Sequence, residues 1–268
     1  MAILVFCAAA GLAHAQGGRQ SFDVASVRVA TPGPGPMRIM TRGGPGSADP
    51  THFSAENSTL LSLIMMAYEA PSYRVTGPAW LTSERFNITA NVPANVTRKQ
   101  FLAMLQNLLA ERFQLRLHEE ERLSPAFGIL VDRGGPKMKE SSVAAEAEVN
   151  APISPRLDKD GIVILPAGQK GYWVNFGGGR FVIQGRQETI ADLAEGLGHQ
   201  LDQPVTDETG LPARYDFRLE FAPPDVQGDG SAASIFTAVR QLGLRLEPRK
   251  IPVKMIIVDR AVKTPTEN

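Results

Sequence analysis

The sequence predicts an α+β chain: two copies of a β-α-β-β-α-β-β unit, with mostly antiparallel sheets and helices packed on one face of each. Three observations predict it. Residues 115–133 (LRLHEEERLSPAFGILVDR) and 244–260 (LRLEPRKIPVKMIIVDR) share a Leu-Arg-Leu start, a proline and a Val-Asp-Arg end. Arg85-Phe86-Asn87-Ile88 aligns with Arg214-Tyr215-Asp216-Phe217, so the likeness reaches further upstream. Segments of period two alternate with segments of helical period along the chain.

The first strand is read at Phe22–Val29, where apolar and polar residues alternate before Val27-Arg28-Val29. Residues 31–50 are rich in Gly and Pro, which excludes a helix or a central strand and predicts a long loop. Asn57-Ser58-Thr59 offers helix caps, and Leu60, Leu63, Ile64 and Ala67 follow at helical spacing. Tyr73–Thr76 and Phe86–Thr89 read as short strands. Thr97-Arg98-Lys99-Gln100 is a capping box, and Phe101, Leu105, Leu108 and Leu109 share the face of the helix it starts. Leu115-Arg116-Leu117 and Phe127–Val131 are expected to pair as a hairpin around a charged turn.

Residues 142–155 (SVAAEAEVNAPISP) lack large apolar side chains and read as a linker. Ile162–Leu165 and Trp173–Phe176 are expected as strands of an insert, and Gly177-Gly178-Gly179 as a flexible joint. The second copy follows. Phe181-Val182-Ile183 is a strand, Thr189–Leu201 a helix, and Tyr215–Phe221 an alternating strand. Ser234 caps a helix, and Leu244–Leu246 and Val253–Val258 close the unit. The domains are therefore placed at 16–138 and 181–268, joined by a linker and insert at 139–180.

The first fifteen residues, MAILVFCAAAGLAHA, have the short apolar stretch and the Ala13-His14-Ala15 pattern of a secretory signal, although no Lys or Arg precedes the stretch. Cleavage near Ala15-Gln16 is expected, giving a periplasmic or extracellular protein. Cys7 is the one cysteine and would leave with the signal, so the mature chain would hold no disulfide and no thiolate. No later apolar run is long enough to be a membrane span. Lys and Arg total 28, as do Asp and Glu. That balance, with no basic stripe, argues against nucleic acid as a partner.

Signatures of chemistry are few. His118-Glu119-Glu120-Glu121-Arg122 opens like a zinc-peptidase motif but lacks the second His that the metal needs. Beyond the signal only His52, His118 and His199 remain, far apart, so neither a metal nor a cofactor is expected. There is no Gly-x-Ser-x-Gly elbow and no Ser-x-x-Lys pair. The glycine stretches lack the Lys-Ser/Thr of a phosphate loop. Asp207 and Glu208 are read as turn-capping residues beside Thr209 rather than as a catalytic pair with Asp216. The triplets starting at Asn57, Asn87 and Asn95 match the glycosylation pattern but are assigned to capping and strand surfaces. Trp80, Arg112 and His118 remain as candidate binding residues, because an aromatic, a cation and an imidazole suit an anionic or peptide ligand.

The order of elements in the second half loosely resembles short N-terminal domains of secretins and TonB-dependent receptors, which implies an assembly role. A closer resemblance rests on FDVASVR, LLSLIMMAYEAPSYRVTGPAWL, MLQNLLAERFQLRLHEEERLSPAFGILVDRGGPKM, QPVTDETGLPARYDFRLEFAPPD and DRAVKTPTEN. Through these segments the chain resembles a secreted family of unknown function from soil bacteria, mainly acidobacteria. Some relatives are fused to membrane metallopeptidases of the antirepressor type. The resemblance implies export and supplies no catalytic residue. The expected function is a non-enzymatic binding or interaction module of the cell envelope, with an envelope protein or a small ligand as partner. Two alternatives stand beside it: an envelope hydrolase using carboxylates and His118, and a ring- or oligomer-forming assembly domain.

A chain processed after Ala15 is predicted to show the same melting temperature with and without reductant. A thiol-dependent shift in a thermal melt contradicts both the cleavage site and the cysteine assignment.

Overall fold

The computed structural model describes residues 20–31, 38–141, 156–159, 161–164, 170–223 and 233–266. The signal expected at 1–15, with Cys7, and the linker at 142–155 lie outside the described residues. The chain divides into two compact units. One comprises residues 1–70, 77–118 and 258–268, the other residues 71–76 and 119–257.

The first unit is an antiparallel sheet under two helices. β1 (Val24–Val29), β2 (Met40–Gly43) and β3 (His52–Thr59) precede α1 (Leu60–Ala67). The two-residue β4 (Val75–Thr76) belongs to the other unit. β5 (Arg85–Asn91) and α2 (Arg98–Arg112) follow. The strand order is β1-β5-β3-β2. Thr59 and Thr97 cap the two helices, and the Thr97–Gln100 box is fully formed. Alternation in β5 buries Phe86, Ile88 and Ala90 and turns Asn87, Thr89 and Asn91 to solvent. The buried face meets the helices through edge-to-face rings: Phe53 with Phe101 at 5.0 Å and Phe86 with Phe113 at 4.7 Å. β2 falls within the stretch read as a loop. It is an edge strand, where a Gly- and Pro-flanked segment is tolerated.

The second unit holds a four-stranded antiparallel sheet of its own. β6 (Arg116–Val131) starts in the first unit and continues into the second, and β7 (Lys139–Glu140) follows. β8 (Arg156–Leu157) and β9 (Val163–Ile164) form a two-stranded ribbon. Then come β10 (Gly171–Gly177), β11 (Arg180–Glu188), α3 (Ile190–Leu201), β12 (Val205–Asp207), β13 (Tyr215–Phe221), α4 (Ile235–Gln241) and β14 (Leu244–Arg260). The order β10-β11-β13-β7 makes one sheet and β12-β6-β14-β4 another. Thr189 with Asp192 forms a capping box for α3, and Ser234 caps α4. Ile183, Leu193, Leu197, Tyr215, Leu219 and Val239 lie in one fully buried cluster. The chain is therefore α+β, with largely antiparallel pairing.

Two sequence expectations are corrected. The segments 115–131 and 244–258 are not hairpins. Each is a single long strand, β6 and β14, and the two lie side by side. Ser124 meets Met255 and Arg245 donates to the Val131 carbonyl, so the strands run in opposite directions. The charged stretches expected as turns are strand, whose Glu, Arg and Pro residues discourage pairing with another chain. Nor is Gly177-Gly178-Gly179 a joint. Gly177 pairs with Arg180, and Gly178 and Gly179, at φ +57° and +75°, close a two-residue hairpin that needs left-handed residues.

Gly185 of β11 sits opposite Phe217 of β13, and a Cβ there would come within 2.2 Å of the phenyl ring, far inside contact distance. Gly185→Ala is predicted to cost about 1–3 kcal/mol. It would lower the urea midpoint of unfolding with little change in slope, and an unchanged midpoint counts against this packing.

Candidate functional site

The sequence candidates have separate surroundings. Trp80 lies half-buried in the short 3-10 turn Ala79–Thr82 that follows Pro78. Arg112 is the last residue of α2, half-buried. It lines a cleft of about 300 Å³ with Asp23, Asn107 and Glu111, and its carbonyl accepts from the Thr266 amide at 2.8 Å. His118 is not in a turn. It projects from β6, and its Nδ1 lies 2.9 and 3.0 Å from the two carboxylate oxygens of Asp259 on β14. Both side chains are about half exposed, 50% and 45%. Asp259 belongs to the second Val-Asp-Arg motif, and the antiparallel pairing brings it to the first Leu-Arg-Leu segment.

A more complete site lies where four strands of the first sheet turn their outward side chains together. Register places Ser26 of β1 beside Thr89 of β5, Thr89 beside Ser54 of β3, and Ser54 beside Arg42 of β2. The adjoining row is Val24, Asn91 and His52. These rows line a cleft of about 430 Å³, closed at one end by Asp49. The turn before β3 shapes that end: the Gly44 amide donates to the carbonyls of Asp49 and His52 at 3.1 and 2.7 Å.

His52 Nδ1 lies 3.1 Å from Asp49 Oδ1, and the Thr51 hydroxyl lies 3.3 Å from the same oxygen. The hydrogen bond to His52 is the main influence holding the Asp49 carboxyl below its usual range. If Nδ1 carries the proton in that bond, Nε2 is the ring's acceptor. Arg42 is exposed and has no acidic partner among the described residues. The cleft therefore offers hydroxyls, an amide, an imidazole and an uncommitted guanidinium, with Val24 as apolar wall. Such a surface suits hydrogen-bonded recognition of a polar chain.

No local sequence motif marks these cleft residues. The available signal was the run of polar residues at alternate outward positions, Asn87-Thr89-Asn91. Their meeting with Ser26, Ser54 and Arg42 depends on strand register, which local patterns do not supply.

The second unit carries a different polar cluster. Glu188 ends β11 and Asp192 sits in the first turn of α3, where it accepts from the Thr189 amide at 2.8 Å and hydroxyl at 2.6 Å. Burial, followed by the hydrogen bond and charge of Asp192, pushes the Glu188 carboxyl up to about 7, against a smaller opposing influence of Arg214. Asp192 is held low, chiefly by the Thr189 hydroxyl. Asp207 accepts from the amide and hydroxyl of Thr209 at 2.9 and 2.7 Å, and Asp216 accepts from Ser141 and the Gln187 amide. Glu208 pairs with Arg249 at 2.8 Å. Among the described residues no group of three or more His, Cys, Asp or Glu is placed to hold a metal ion, and no helix is long and apolar enough to cross a membrane.

Residues 61–261 match the family model described as a protein of unknown function (DUF3738), and the chain belongs to that family. No curated protein and no solved structure matches it.

The raised Glu188 pKa has a definite sign. The folded state holds this proton more tightly than the unfolded chain, whose glutamate titrates near its ordinary 4.5. The stabilisation is complete below that value and is lost as pH rises through about 7. Thermal melts between pH 4.5 and 7.5 should show stability falling over this window, and Glu188→Gln should flatten the fall. An equally steep fall in the variant refutes the assignment.

Proposed function

We propose that this family member is an exported, non-enzymatic binding module of the bacterial cell envelope, built on a duplicated α+β unit. Its ligand is received on the outward face of the first sheet. The observation that carries the binding reading is the four-strand row Ser26, Thr89, Ser54 and Arg42, a polar cleft ending in a guanidinium with no acidic partner among the described residues.

Several features support duplication. The order β1-β5-β3-β2 has its counterpart in β7-β13-β11-β10. Asn57 in β3 and Gln187 in β11 both have φ of 53°, each at a register shift in its strand. The Asn57 amide donates to Asn87 Oδ1 at 2.9 Å, and the Gln187 amide to Asp216 Oδ1 at 3.0 Å. Arg85 donates to the Asn57 carbonyl and Arg214 to the Gln187 carbonyl, each at 2.7 Å. Gln114 and Gly243, with φ of 51° and 74°, precede the two Leu-Arg-Leu segments. Export is supported by the signal-like start and by the resemblance to secreted soil-bacterial proteins, some fused to membrane metallopeptidases.

One observation favours a hydrolase instead: Asp259 holds His118 Nδ1 in the manner of a carboxylate that orients a general base. A fragment screen followed by backbone amide shifts, run beside a panel of ester, peptide and glycoside substrates, separates the two readings. Hits are expected to cluster on Ser26, Ser54 and Thr89 without turnover. Turnover that His118→Ala abolishes, with the fold intact by circular dichroism, overturns the binding proposal.

A further inference from the structure

We infer that the occupant of the first-sheet cleft is an extended peptide bearing a carboxylate, which Arg42 receives. The inference rests on the binding reading above and names the partner class for that same cleft.

The second sheet indicates what such a face takes. In β11, Phe181 and Ile183 point to the core, so Val182 and Gln184 point outward. Val182 is nonetheless fully buried. The neighbouring outward residue, Gln184, donates from Nε2 to the main-chain carbonyl of Val163 at 3.0 Å. Val163 belongs to the ribbon β8–β9, and Ile162 beside it is also fully buried. At Gln184 the outward face of that sheet is thus met by protein chain in β conformation. A side-chain donor meets a main-chain carbonyl, with an apolar residue buried alongside.

Ser54 holds in the first sheet the place that Gln184 holds in the second. Each stands three residues before the left-handed residue of its strand, and each is paired with the central strand, Ser54 with Thr89 and Gln184 with Arg218. By the same count His52 corresponds to Val182. The first sheet therefore offers donors where the second offers Gln184, while Arg42 and Thr89 are exposed.

Spacing and charge fit the same occupant. Residues two apart on a strand, such as His52 and Ser54 or Thr89 and Asn91, repeat at roughly 6.6–6.8 Å. A peptide extended alongside them presents its own alternate groups at that repeat, so successive contacts stay in step. Asp49 is engaged by His52 and Thr51, whereas Arg42 has no acidic partner among the described residues. Among the charged groups of the cleft, Arg42 is the one with no partner of its own among the described residues, and a guanidinium in that position selects a carboxylate on the peptide.

The test uses the isotope-labelled full chain and three probes. These are a nine-residue alternating Thr-Val peptide with a central Glu, the same peptide with Gln, and an N-acetylglucosamine hexamer. The Glu peptide is expected to shift the amides of Ser26, Ser54 and Thr89 and to bind about five-fold more tightly than the Gln peptide, the scale of one exposed ion pair. Arg42→Gln should erase that preference while leaving the circular dichroism spectrum unchanged. Equal affinity for the two peptides overturns the assignment of Arg42 and with it the inference. Shifts produced by the glycan but by neither peptide overturn the peptide class and leave the cleft a binding site. If fragments, peptides and glycan all leave these amides unmoved, the binding reading falls as well.

Discussion

The structure depends on how a strand becomes a helix with no linker between them. Thr59 ends β3 and caps α1, so the backbone must leave the sheet within about one residue. A left-handed Asn57 makes that bend, at a cost of roughly 1–2 kcal/mol for a residue with a Cβ. Hydrogen bonds to both sides of its peptide offset the cost: its amide is held by Asn87 and its carbonyl by Arg85. Both anchors come from the neighbouring strand β5, so the bend forms only when the sheet has paired in its correct register. Gln187, Asp216 and Arg214 make the same arrangement between β11 and β13. Local conformation and sheet register are thereby coupled in each unit.

That bend also decides which face of the sheet is covered. α1 folds back over the side bearing Phe53, Ala55, Phe86 and Ile88, and α2 joins it. With its helices on one side, an antiparallel sheet is free to present polar residues on the other. In the first unit that freedom yields Ser26, Ser54, Thr89 and Arg42, while in the second the outward Val182 is buried and Gln184 is met by the ribbon. The candidate site is a consequence of where the helices go, not of a motif.

This explains what the sequence disclosed and what it withheld. The four helices, and the caps of three of them, are legible because a capping residue and a 3.6-residue period are local. Thr97 with Gln100, and Leu60 with Leu63 and Ile64, needed no tertiary information. The alternating strands at Phe86 and Tyr215 were legible for the same reason. Glu119–Glu121, Pro125, Pro248 and Pro252 have the look of turn chemistry, which predicts hairpins where the chain forms long strands instead. Yet neither charged segment contains the glycine or asparagine that a tight hairpin uses, and a long exposed strand accommodates charge and proline. The local sequence around His118 displays its glutamates. Its described partner, Asp259, lies 141 residues away and depends on the pairing of β6 with β14. The cleft was missed because its members come from four strands, and no single segment shows more than one row position.

Position-by-position comparison of the two strand-to-helix junctions shows where individuality sits. Ser58 and Glu188 each precede the capping threonine, and Ser62 and Asp192 each stand three residues after it. In the first junction the pair is neutral: Ser58 is buried, and the Ser62 amide donates to Thr59. In the second the pair is two carboxyls beside a helix N-terminus, whose dipole favours one negative charge. Two carboxyls this close cannot both ionise cheaply, so Asp192, held by Thr189, keeps the charge and Glu188 keeps the proton. The bend residues and their anchors are alike in the two units because folding requires them. The positions flanking them are free to differ, and they separate a neutral junction from a titrating one just as the outward positions separate an open cleft from a covered face.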